Sequence, residues 1–143
     1  MAGKNIGSFA TNPDVELIHK LQTAIENLLW FSEAEYPWQI YYWHDANIFS
    51  ENILRQQNGY GTSTKIAVQE LNAFFAPATR QEAWHNEAEQ IEVRRYLALV
   101  DLLKTSLSNL RVYWLGDVEF DIYVVGETSH RAIAGLVTKA VAT

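Results

Sequence analysis

The sequence predicts an α/β (α+β) domain in which helices cover both faces of a mixed, mostly antiparallel sheet. Three features carry that expectation. Trp38 to His44 (WQIYYWH) puts Trp38, Ile40 and Tyr42 on one side of a strand and Tyr41 and Trp43 on the other. Large apolar residues on both sides require cover on both faces. Val15, Ile18, Leu21, Ile25, Leu28 and Leu29, and later Val93, Tyr96, Leu97, Val100, Leu103 and Leu107, recur at helical spacing. Arg111 to Leu115 and Val118 to Val125 flank Gly116-Asp117 and read as a C-terminal hairpin.

Residues 1–11 read as a flexible lead and 12–143 as one domain. Asn12 can cap a helix, Pro13 fits its first position, and Asp14 suits the positive end of its dipole. This helix should run to Ser32–Glu35, because Tyr36 precedes Pro37 and is pushed toward extended geometry. Residues 45–64 are mostly connection, with a short helix over Ser50 to Gln56 and a loop over Asn58 to Ser63. A second strand is expected at Lys65 to Val68 and a short helix at Glu70 to Phe75, with Pro77 breaking the chain.

Thr79-Arg80-Gln81-Glu82 matches a capping box and predicts a helical turn around Trp84. Asn86-Glu87-Ala88-Glu89 is a second box, opening a long helix to about Ser108. In the second hairpin strand Val118, Phe120, Ile122 and Val124 share one face. Asp117, Glu119, Asp121 and Tyr123 share the other, whose first half meets solvent. Ala132 to Val141 fits strand or helix; Gly135, Val137 and Thr138 favour a strand.

Composition limits the chemistry. Eleven Lys and Arg against seventeen Asp and Glu give a charge of -6. That argues against nucleic acid as the main ligand and suits a basic protein partner. The absence of cysteine removes disulfides, thiolate metal sites and cysteine nucleophiles. No signal-peptide h-region and no apolar run of ~18 residues is visible, so a soluble, cytoplasmic protein is expected, without membrane contact. Aromatic residues make up 13% of the chain, more than a domain of this size readily buries, so some should serve an interface.

The four histidines, His19, His44, His85 and His130, lack short metal-ligand spacing. No G-x-S-x-G occurs, and Gly59-Tyr60-Gly61 lacks the third Gly of a dinucleotide loop and the Lys of a phosphate loop. The reading is therefore not an enzyme, with no cofactor and no metal of its own. A small metal-dependent enzyme pairing His44 with Glu33 or Glu35 stands as the opposing class. Glu33 and Glu35 fall at the carboxyl end of the expected first helix, where the dipole disfavours acids. They are either a solvated helix end or acids kept for a cationic partner. Trp84, within Gln81-Glu82-Ala83-Trp84-His85-Asn86-Glu87, is either the anchor of a small helix or an exposed contact residue. If residues 132–141 form a strand, Thr143 ends close to a structured edge.

Phe31-Ser32-Glu33-Ala34-Glu35-Tyr36-Pro37-Trp38 resembles the S-E-S-E-Y-P-aromatic stretch of the nuclease A inhibitor family of cyanobacteria. The likeness continues in Phe74-Phe75, Ala78-Thr79 and Trp84, and is strongest from Val112 to Thr143. The resemblance implies a three-layer α/β/α sandwich likened to plant pathogenesis-related (PR-1-like) proteins. It implies a protein inhibitor of a sugar-nonspecific, magnesium-dependent DNA/RNA endonuclease of the ββα-metal type, acting as a 1:1 complex and monomeric when free. By motif, Glu33 looks like the acid that pairs with nuclease arginines, Trp84 like the contact aromatic, and Thr143 like the group reaching the partner's magnesium. Glu35 and the Asp117, Glu119, Asp121 face are further candidates. The chain departs from the family at Ala142, at Trp114 and in the turn 129–132. A binding module of the same fold with a non-nuclease partner is the alternative.

Overall fold

A computed structural model describes residues 12–142; the expected lead 1–11 and Thr143 lie outside the described residues. The order is α1 (Val15–Ile25), β1 (Leu29–Phe31), β2 (Glu35–Pro37), β3 (Gln39–Trp43), a 3-10 turn (Ala46–Ile48), α2 (Glu51–Gln57), β4 (Ile66–Gln69), α3 (Leu71–Thr79), α4 (Glu87–Ser106), β5 (Ser108–Gly116), β6 (Glu119–Glu127) and β7 (Ile133–Val141). The class is α+β. The main sheet runs β3-β7-β6-β5-β4, and β1-β2 forms a separate two-stranded hairpin. Every pairing in the main sheet is antiparallel.

Strand alternation divides the apolar residues between the two faces. Val112, Ile122, Val124, Ala134 and Leu136 join Leu21, Phe74, Tyr96, Leu99 and Leu103 of the helices in one core. Tyr113, Leu115, Tyr123, Val125 and Ile133 join Leu54 of α2 in the other, with Tyr41 and Trp43 against them. The two-sided strand is thus found at β3, with Trp38, Ile40 and Tyr42 on the first core. Residues 133–141 are a strand, between β3 and β6.

The first helix is shorter than its spacing implied. It stops at Ile25, because Asn27 adopts a left-handed φ of 58° that turns the chain. Leu28 and Leu29 fit a helix and a strand equally in so short a run, and tertiary burial of Trp30 selects the strand. Glu33 and Glu35 therefore do not sit on the end of the first helix. The carbonyls of Ala24 and Glu26 instead accept from the Arg95 guanidinium of α4, at 2.9 and 2.7 Å. Asp14 is the first cap residue but makes no side-chain cap. Its buried carboxylate accepts from Tyr42 (2.9 Å) and Thr128 (3.0 Å) and meets the His130 ring at 3.0 Å.

Other boundaries differ for physical reasons. Pro77 lies inside α3, which Glu70 caps and which ends at Thr79. Pro77 removes the bond to the Ala73 carbonyl, and the helix runs only two residues beyond it. The Thr79 box does not form; its hydroxyl bonds back to the Phe75 carbonyl at 3.0 Å, and residues 83–84 make only a turn. The Asn86–Glu89 box forms in full, with both bonds at 2.8 Å. On α4 the buried stripe is Val93, Tyr96, Leu99 and Leu103, whereas Leu97 faces solvent.

Several phenols are shifted upward. Burial pushes Tyr41 up to about 12, and the Asp121 carboxylate that accepts from Tyr60 pushes Tyr60 up to about 12. Burial also raises Tyr96. The unfolded chain loses these protons first, near the ordinary value of about 10. Stability is therefore fully present below pH ~10 and is lost as pH rises toward ~12. Urea midpoints at pH ~9 and ~11 should fall in that order, with phenolate absorbance appearing late in the folded protein.

Candidate functional site

The β1-β2 hairpin carries Glu33 at its tip. Ser32 closes the tip, its N–H donating to the Ala34 carbonyl at 2.9 Å. The tip is then tied to the end of β7. Glu33 N–H donates to the Val141 carbonyl at 3.2 Å, and Val141 N–H donates to Ser32 Oγ at 3.0 Å. Thr138 of β7 also donates its hydroxyl to the Pro37 carbonyl at 2.8 Å. On the other side, Ala142 N–H donates to the Val118 carbonyl at 2.9 Å. The residues leading to Thr143 thus run between the Glu33 tip and the β5-β6 turn.

That turn needs Gly116. Its φ is 127°, and a Cβ there would lie 2.2 Å from the Glu119 carbonyl oxygen. The tight turn leaves Asp117, Val118 and Glu119 exposed beside Ala142. Asp121 is half-buried, accepts from Tyr60 at 2.7 Å and meets Lys139 at 3.7 Å. Asp121 is therefore tied within the protein, and Asp117, Glu119, Glu33 and Glu35 are exposed. The acids of the hairpin tip and of the β5-β6 turn thus flank the end of β7.

Trp84 sits on the connection between α3 and α4 and is 71% exposed, so it anchors no small helix. Its ring packs on His85 at 4.4 Å. His85 is held in turn: its Nδ1 accepts from Glu82 N–H at 3.2 Å, and its carbonyl from Gln90 at 3.2 Å. His85 and Phe31 line one groove, so the Trp84 segment and the Glu33 hairpin border the same concavity. Phe31 is 53% exposed, two residues from Glu33.

The hairpin is set by an aromatic cluster beneath it. Trp30 stacks on Phe74 at 4.4 Å and meets Trp38, Phe75 and Tyr96 edge-on, each at 5.8 Å. Trp38 donates its indole N–H to the Tyr96 hydroxyl at 3.0 Å, and Tyr96 donates to the Leu29 carbonyl. Most of the aromatic surplus is thus core, and among the described residues Phe31 and Trp84 are the exposed large aromatics.

His44 does not converge with Glu33 or Glu35. Trp43 pairs with Ile133 at the start of β7, and the Glu33 tip binds Val141 at its end. Eight strand residues separate those points, roughly 25 Å. Among the described residues no group of three or more His, Asp or Glu is placed to hold a metal ion, and no helix is long and apolar enough to cross a membrane.

Sequence reasoning missed the groove and its acids, Glu89 and Glu92. The spacing of three on α4 was a usable signal, since it puts both on one helical face. Burial raises the Glu92 carboxyl above its ordinary value; Arg95 opposes that, and Glu35 and Glu89 add to it.

No curated protein matches the chain. The family model of nuclease A inhibitor-like proteins matches residues 15–143.

Proposed function

Since the chain belongs to the nuclease A inhibitor-like family, we propose that it inhibits a magnesium-dependent, sugar-nonspecific endonuclease of the ββα-metal type by occupying its active-site cleft. The carrying observation is the tie between the Glu33 tip and Val141, which supports Glu33 and the tail acting together. A cleft built for phosphate carries arginines and a hard cation. Carboxylates satisfy the first through charge-assisted bonds, and oxygen ligands suit the second. In this reading Glu33 pairs with nuclease arginines and Trp84 packs on the cleft wall. Thr143 offers oxygen toward the magnesium, which belongs to the nuclease, and Glu35 and Asp117 add further acids. Partner and inhibitor combine 1:1, with the inhibitor monomeric and non-catalytic when free. Backbone bonds fix the tip before binding, which lowers the ordering cost. The net charge of -6 speeds encounter with a cationic cleft.

The test is titration of untagged protein into such a nuclease with magnesium, following DNA hydrolysis. Stoichiometric loss of activity is expected. Deleting Thr143 should weaken inhibition about tenfold or more, or about 1.4 kcal/mol, with the urea midpoint unchanged. Full inhibition by a protein extended beyond Thr143 would overturn tail insertion.

A further inference from the structure

We propose that the groove between the β1-β2 hairpin and the α3-α4 connection binds an arginine side chain of the protein partner. The proposal deepens the inhibitor reading and rests on it for the partner's identity; the chemistry of the groove stands on its own.

The groove has a volume of about 200 Å³. Its lining mixes aliphatic residues with Trp30, Phe31 and Tyr96, of which Phe31 is the exposed ring at 53%, and includes Glu89 and Glu92. Glu35 lies close enough to Glu92 to act on it electrostatically. Arg95 also acts on Glu92, but its terminal nitrogen is held by the carbonyls closing α1. Glu89 gives one oxygen to the Asn86 N–H at 2.8 Å, so its carboxylate is held at the groove-lining first turn of α4. Like charges are therefore gathered over an apolar concavity.

That combination selects among occupants. An anionic side chain is repelled. A neutral apolar one would cover carboxylates without pairing them, at a desolvation cost. A lysine brings a compact, strongly hydrated charge that must be stripped to enter. A guanidinium is flat, stacks on aromatic faces and bonds carboxylates through a fork of donors. Charge complementarity and wall chemistry thus agree on arginine.

The test titrates acetyl-Gly-Arg-Gly-amide, and its citrulline counterpart, into the nitrogen-15-labelled full chain. The arginine peptide should give saturable shifts at Phe31, Glu92 and Val93, with a dissociation constant on the order of 1 mM. Citrulline, the same shape without charge, should give none. Glu92→Gln should weaken the arginine peptide at least ~3-fold and nuclease binding about tenfold. Equal shifts from both peptides, no saturable shift, or indifference to Glu92→Gln overturns the proposal. If Glu33→Ala weakens nuclease binding and Glu92→Gln does not, the groove assignment falls and the inhibitor reading stands. If the wild-type chain leaves the nuclease active, the inhibitor reading falls, and the arginine–citrulline contrast still decides the groove.

Discussion

Glu33→Ala should raise the dissociation constant for the nuclease on the order of 100-fold. Removing one member of a desolvated charge pair costs about 2–5 kcal/mol, because the partner's arginine is left buried without its counter-charge. The effect should lie mainly in the dissociation rate. The position is demanding because Val141 holds the tip through the Glu33 N–H and the Ser32 hydroxyl. Glu35→Ala, one strand residue further from the tip, should cost less. Salt dependence of binding is the deciding measurement. The Glu33→Ala slope should be shallower than wild type, and an equal slope would sink the arginine-pairing assignment.

Gly135→Ala should cost about 3 kcal/mol or more of stability. Gly135 sits in β7 between Tyr41 of β3 and Val125 of β6. A Cβ there would lie 1.9 Å from the Val124 carbonyl oxygen and 2.9 Å from Val125 Cα. Both are backbone atoms of a paired strand, so relief requires the ladder to part. Gly61→Ala, where nothing lies within 4 Å, should change stability by only a few tenths of a kcal/mol. Urea denaturation of the two variants checks the contrast. Equal midpoints would refute the steric account. Since β7 also seats the Glu33 tip, Gly135→Ala should weaken inhibition as well.

Local chemistry was legible wherever it decided the outcome alone. Asn86 and Glu89 close their box from their own four residues, and Ser50 caps α2 through the Ile53 N–H. Gly116-Asp117 turns the hairpin because the backbone there requires glycine. The two-sided burial of β3 was read from alternation of Trp38 to Trp43. Where two periods fit one run, the reading failed. Leu28 and Leu29 continue a helix or begin a strand, and only Trp30 settling among Phe74, Trp38 and Tyr96 separates them. Pro77 predicts a break in the chain, yet α3 runs two residues past it before ending. On α4 the stripe rotated from Leu97 to Leu99, because contact with α1 and α3 sets which side is covered.

The candidate site divides the same way. Its residue types, Glu33, Glu35, Trp84 and the Asp117 turn, were visible in the sequence, as was the acidic charge that points to a basic partner. Their assembly was not. The hairpin tip reaches Val141 across more than a hundred residues, and the groove forms where β1 meets α4 and the Trp84 segment. By itself the sequence determined the main-sheet strands, the Ser50 and Asn86 caps and the supply of acids, because alternation, turn chemistry and charge act within a few residues. Only the tertiary structure decided which acids flank the end of β7, which aromatic residues stay outside and where a concavity opens. Those depend on long-range packing, whose energy is spread over many contacts and leaves no short pattern to read.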